Sequence, residues 1–172
     1  MKGTYHAFPI NEDEVRVAVV VISDGGKLVF DFDKDSEMTE IDKNVDYVTF
    51  PGGDRNVGSA ISVAIRNAFT STGRRGLVPQ VLVTILAGKS NDDITAMTKE
   101  LHRAVIKSIA VGLGSVVNRD ELSLIAGDSQ NVVVNSDLSK LATVVPNVVE
   151  QINRGKVNFK VMLRGTIFDD NF

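Results

Sequence analysis

Apolar positions follow two rhythms along this chain, and the rhythm changes at nearly every turn signal. Residues 81–86 are an almost unbroken apolar run, and 15–22 is nearly the same apart from Arg16. Runs this short and this rich in β-branched residues predict strands buried on both faces, as in a parallel sheet. Residues 27–33 alternate instead, with Leu28, Phe30 and Phe32 on one side and Val29, Asp31 and Asp33 on the other, the pattern of a strand with one wet face. Between these two runs, Ser23-Asp24-Gly25-Gly26 tolerates positive φ and predicts an antiparallel hairpin at a sheet edge. Val57, Ala60, Ile61, Ala64, Ile65, Ala68 and Phe69 recur at spacings of three and four, so a strong helix with one core face follows Pro51-Gly52-Gly53-Asp54 and closes over 72–76. A weaker helical signal begins with Ser36 as its cap and runs to about 44. Further helices are predicted over 92–104 (through Ile94, Met97 and Leu101), over 119–126, and in a last stretch carrying Leu138, Leu141, Val145, Val148 and Ile152, where Pro146 is a candidate kink. Strands at 108–113 and 132–134 separate them. Strands alternating with amphipathic helices mean crossover units: an α/β fold with a doubly wound, mostly parallel sheet, one antiparallel edge strand and helices on both faces.

Composition narrows the function more by exclusion than by assignment. The 172 residues, 43% hydrophobic and 24% charged, are enough for one sizeable core. A formal net charge of −3 with scattered basic residues, the Arg74-Arg75 pair included as a loop tip, argues against a nucleic-acid surface. With no cysteine there are no disulfides, thiolate metal sites or cysteine nucleophiles, and the compartment stays open. No apolar run approaches the roughly 20 residues of a membrane span. Residues 1–10 lack the basic-then-apolar order of a secretory signal, so the expectation is that any export signal lies outside this chain or does not exist. His6 and His102 lie on unrelated segments, which disfavours a histidine triad or a zinc site. Gly112, Gly114 and Asn118 sit where a dinucleotide fingerprint would need a third glycine, and a plain turn is expected. Ser129 lacks the flanking glycines of a nucleophile elbow. Asp31, Asp33 and Asp35 alternate along the edge strand, either as weak calcium ligands or as a solvated edge that discourages strand addition. No catalytic residue, cofactor or metal ligand set emerges, so the expectation is a protein that is not an enzyme.

The junction after residues 81–86 is where an open α/β sheet holds ligands, and Ala87 stands there, unable to bind a metal or move a proton. Ser90 or Asn91 is expected to cap the next helix, with Asp92 and Asp93 near its positive end. The turn Gly52-Gly53-Asp54-Arg55-Asn56 either presents backbone N–H groups to an anion or is a tight turn with Asp54 or Asn56 as a cap.

Together, the run 15–20 followed by Ser23-Asp24, Gly52-Gly53 before a helix, 79–85, 88–93 and 109–114 resemble a von Willebrand factor type A domain over about 13–154. The resemblance implies a doubly wound adhesion and matrix module. In that family a divalent ion sits at the top of the sheet, held by an Asp-x-Ser-x-Ser motif after the first strand, a Thr after the second helix and an Asp after the fourth strand. Here Asp54 takes the Thr position, Ala87 takes the Asp position, and the first strand with its motif is missing from the start of the chain. The strand-like run 157–163 resembles that lost strand, with Arg164 where the first ligating Asp would stand and Thr166 as the remaining hydroxyl. The expected layout is therefore a domain over 1–155 and a tail over 156–172, the tail either opening the next domain of a tandem array or serving as a circularly permuted first strand. Lys160 suits an edge strand or frayed extension better than a central one. What the resemblance implies for function is an extracellular protein-interaction module that binds a protein such as collagen without a metal, through Asp54, Arg55, Asn56, Lys89 and Ser90, beside neighbouring A domains. The competing readings are a spacer domain in a tandem array with no ligand of its own, and an α/β nucleotide-dependent enzyme.

Overall fold

A computed structural model describes residues 2–10, 15–33, 37–49, 52–69, 79–137, 141–154 and 160–164. The Ser36 cap, the closing turn over 72–76, Arg74, Arg75, Asp35, Leu138 and Thr166 lie outside the described residues.

Strands β1 (Arg16–Val21), β2 (Lys27–Phe30), β3 (Val81–Leu86), β4 (Lys107–Leu113), β5 (Val132–Asn135) and β6 (Lys160–Arg164) form one six-stranded sheet in the order β2-β1-β6-β3-β4-β5. Only the β1–β2 pair is antiparallel; β6 runs parallel to both β1 and β3, with Val20 and Thr84 each opposite Leu163. The tail thus enters the centre of the sheet and not its edge. The physical reason is backbone pairing. All six residues of β1 and all six of β3 are buried, so an empty slot between them would strand N–H and C=O groups that water cannot reach.

Side chains alternate across this sheet into two cores. Ala18, Val20, Ile22, Leu82, Leu86 and Ala110 face α3 (Val57–Val63), α4 (Thr95–Arg103) and α5 (Arg119–Ala126). Val17, Val19, Val83, Ile85, Ile109 and Val111 face α1 (Lys2–Tyr5), α2 (Met38–Asp46) and α6 (Leu141–Asn153). Every one of the seven apolar positions that marked the strong helix is buried, and the last four of them lie in a π-helical continuation, Ala64–Phe69. In α6 the buried face is Val144, Val148 and Ile152, with Pro146 exposed on the other side.

The edge hairpin departs from simple alternation. Val19 pairs with Phe30 and Val20 with Leu28, so Val29 is an extra residue in β2. This bulge turns Phe30 onto the same core as Val29, while Leu28 and Phe32 pack on the opposite core. Asp33 is spent on the buried guanidinium of Arg16 at 3.0 Å, and Asp31 accepts the Asp33 N–H at 3.2 Å. At the far end of α1, the Tyr5 hydroxyl and the His6 ring both reach Asp42 Oδ1 at 2.8 Å, which ties α1 to α2. Burial first, and then that hydrogen bond, hold the Tyr5 phenol above its ordinary range.

Helix starts also differ from the sequence expectation. α2 has Glu37 at its N-cap without a side-chain cap, and α4 begins after Ile94, its Thr95 N–H held by Asp93 Oδ1 at 2.8 Å. Asp92 serves a different helix. Its carboxylate accepts the N–H groups of Gly58 at 2.9 Å and Ser59 at 2.8 Å, while the Ser90 hydroxyl accepts that of Val57 at 3.1 Å. The first turn of α3 is therefore capped by the segment that follows β3. Partial burial raises the Asp92 pKa, but the hydrogen bonds from Ser90, Gly58 and Ser59 outweigh it and the net shift is downward.

Three outcomes follow from these features. Truncation after Arg154 removes β6 and is expected to lower the melting temperature by more than about 10 °C or abolish the cooperative transition, measured by circular dichroism; an unchanged melt would refute the central pairing. Asp92→Ala is expected to cost about 1 kcal/mol, solvent screening holding it below the strongest caps. Because the folded-state pKa of Asp92 is depressed, its contribution is present above the ordinary aspartate pKa of about 3.9 and fades as pH falls through the lower folded value, so chemical denaturation should show the gap between the two proteins narrowing in acid. Val105, 87% exposed after α4, holds φ of 58°, a left-handed conformation that a β-branched residue resists. Val105→Gly is expected to raise the melting temperature by about 2–4 °C, since no buried contact is lost; a fall would contradict the strain.

Candidate functional site

The C-terminal ends of the parallel strands bring together the turn after β1, the segment 87–93 after β3 and the segment 114–118 after β4, with the turn 52–56 leading into α3. Gly52 and Gly53 hold φ of 73° and 89°, and a Cβ on Gly53 would fall 2.3 Å from Asp24 Oδ1. Only glycine leaves room for that carboxylate, which accepts the Asp54 N–H. Asn56 Nδ2 donates to the Asp24 carbonyl at 2.6 Å, so the turn 52–56 is fastened to the turn after β1.

A second set of bonds fastens it to the segment after β3. Asn91 N–H donates to the Arg55 carbonyl at 2.8 Å, Asn91 Nδ2 to Asp54 Oδ1 at 3.0 Å, and Arg55 Nη1 to the Lys89 carbonyl at 3.1 Å. Ser90 N–H in turn donates to Glu121 Oε2 at 2.9 Å, which carries the network onto α5. The Asn118 side chain caps α5 by accepting the N–H groups of Asp120 and Glu121, so the glycine-containing run before it ends in a self-capped helix with its first donors already used.

The structure brings all five residues singled out from the sequence into this one network. Their roles divide. Ser90 is only 8% exposed, and its hydroxyl is used by Val57 N–H and by Asp92 Oδ1 at 2.7 Å, so it braces the face from beneath. Asn56 occupies the N-cap position of α3 without capping it, its amide being turned to Asp24. Asp54 and Lys89 are exposed and Arg55 is half-buried, and these three are what the face presents. Sequence reasoning missed Asp24 and Asn91 as fasteners and Val116, 72% exposed after β4. Asn91 was legible as a helix-starting residue, but its partner lies 37 positions away.

Catalytic arrangements do not assemble here among the described residues. His102 donates to the Ile125 carbonyl at 3.1 Å and His6 rests on Asp42, both away from this face. No group of three or more His, Cys, Asp or Glu among the described residues is placed to hold a metal ion. At the end of β3, Ala87 offers no side-chain oxygen, and the guanidinium of Arg55 lies over the next residue, where a Cβ on Gly88 would fall 2.7 Å from Nη1. The described residues therefore do not fit the oxygen cage that a small divalent cation requires.

Comparison with known proteins gives a consistent result. The human collagen alpha-6(VI) chain is 28% identical over 174 residues, covering 96% of this chain and 8% of that one. The collagen alpha-1(XII) chain of Notophthalmus viridescens is 27% identical, covering 84% of this chain and 16% of that one. The chain spans less than a quarter of the length of such relatives, 23% in the case of cuticlin-6 of Caenorhabditis elegans. Among solved structures, proximal thread matrix protein 1 from the mussel byssus, with a zinc-occupied MIDAS motif, superposes with a TM-score of 0.81 at 24% identity, over 88% of this chain and 38% of that one, which establishes the shared fold. A sequence profile of the von Willebrand factor type A domain matches residues 1–150, and the chain belongs to that family.

Proposed function

We propose that this chain is a non-enzymatic protein-interaction module of a modular extracellular matrix protein, binding a protein ligand such as collagen through the loops at the C-terminal ends of its parallel strands, without a divalent ion. The observation that carries this reading is the interlocked face itself. Three separate loops are held by one another's side chains, so Asp54, Arg55 and Lys89 are presented on a preorganised surface with Val116 at the end of the neighbouring strand. Preorganisation lowers the ordering cost of association, and arginine is among the residue types enriched at binding hot spots. Matrix collagens among the relatives support the extracellular setting.

The tail enters the same reading. We place residues 156–172 as a segment distinct from 1–155 that supplies the first strand of the sheet. In a longer chain with neighbouring A domains, the alternative is a spacer domain whose loop face binds nothing.

Surface plasmon resonance on immobilised triple-helical collagen separates the two. Saturable binding, unchanged by chelator, is expected. Lys89→Glu and Val116→Asp should each weaken it about tenfold, roughly 1.4 kcal/mol, with unaltered melting because both side chains are exposed. Absence of binding to collagen and to other matrix proteins would favour the spacer, and loss of binding in chelator would overturn the metal-free reading.

A further inference from the structure

We propose that β5 is a pairing edge through which two copies of this chain join, antiparallel and about a two-fold axis centred on Val133. This edge lies at the side of the sheet and not at the loop face, so the proposal goes beyond the reading above and does not depend on it.

The two edges of the sheet are not alike. The β2 edge is guarded in the way natural sheets guard edges: it starts with exposed Lys27, carries the extra residue Val29 and is followed by Asp31 and Asp33. The other edge, β5, is Val132-Val133-Val134-Asn135, with no charge, no proline and no register shift against β4. Which of its backbone groups face outward follows from the ladder. The Asn135 carbonyl accepts the Gly114 N–H at 2.8 Å, so Asn135, and Val133 two residues before it, turn their backbone groups toward β4. Val132 and Val134 turn theirs away. The Val132 N–H is spent on the Ser129 carbonyl, closing the short 3-10 turn before the strand. The Val132 carbonyl and both backbone groups of Val134 take no partner among the described residues. Beside half-buried valines, such groups are a template for another strand.

The sequence says which strand. Asn131-Val132-Val133-Val134-Asn135 reads the same in both directions. Two antiparallel copies centred on Val133 set valine opposite valine throughout the middle and amide opposite amide at both ends, with no like charges opposed. The parity is right as well. This register puts Val134 opposite Val132 of the second copy, and these are the two outward-facing residues. Each Val134 N–H then donates to the Val132 carbonyl of the other copy, while the two Val133 residues form a close, non-hydrogen-bonded pair. An unrelated strand would make no use of the palindrome, whereas a two-fold contact uses every position of it.

The flanking helix leaves the approach open. Asn135 Nδ2 donates to Thr143 Oγ1 at 3.1 Å, which places that side of α6 beside β5. Pro146 and Asn147 share the side of Thr143, and all three are exposed and neutral. The paired segment is short, at the small end of specific interfaces, so the dimer is expected to be weak and concentration-dependent.

The test is sedimentation velocity of the full chain from roughly 5 to 500 μM. The parent is expected to move from monomer to twice the monomer mass as concentration rises. Val134→Lys, whose stem can follow the half-buried valine with its charge in water, should stay monomeric throughout and keep the parent's melting temperature. Val116→Asp should dimerise as the parent does, which separates this edge from the loop face. The chain has no cysteine, so a single introduced one reports the register. Val133→Cys meets itself across the axis and should form a disulfide-linked dimer under mild oxidation at least about fivefold faster than Val132→Cys, which meets Val134. A parent that stays monomeric to about 500 μM overturns the proposal. So does a dimer that survives Val134→Lys, or equal cross-linking of the two cysteine variants. Should Val134→Lys lower the melting temperature, the cysteine pair decides alone.

Discussion

Everything in this domain depends on the pairing of two strand edges that water cannot reach. β1 and β3 are buried along their whole length, and their facing edges are filled by β6, which arrives from the far end of the sequence. With that strand in place the sheet separates two apolar cores and its parallel strands all end on the same side. The loops that carry Arg55, Lys89 and Val116 share an end of the molecule for this reason. Side-chain preference is secondary to it: backbone groups of a central strand have no alternative partner, whereas a side chain has rotamers.

The layers were legible from the sequence because they rest on local periodicity. The burial of Val57, Ala60, Ile61, Ala64, Ile65, Ala68 and Phe69, and the alternation of 15–22 and 81–86 between two cores, are properties of spacing alone. Three features were not legible, and each depends on a distant partner. The bulge at Val29 exists only in the register against Val19 and Val20. Asp92 reads locally as the start of its own helix but is drawn to Gly58 and Ser59, whose N–H groups have no side-chain cap nearby. The central placement of 160–164 is opposed by the local signal from Lys160 and is decided by the vacancy between β1 and β3.

The candidate site was half legible. Its five residues were chosen because strand ends hold ligands, and they do gather in one network. Burial then sorts them. Ser90 and Asn56 hold the face together from beneath, while Asp54 and Lys89 are exposed and Arg55 is half-buried. Sequence carries residue type and position but not which hydrogen-bonding groups are already spent, and that difference separates a brace from a contact.

The cap that Asp92 gives to α3 has a kinetic side. Its partners lie 33 and 34 positions earlier in the chain, so the helix cannot complete its first turn by local means. The chain between them must first be closed into a loop, at an entropic cost that local helix capping avoids. Capping of that helix end and assembly of the loop face thus share one set of contacts. A molecule that has finished building its core helix has, by the same contact, finished building the surface it shows to others.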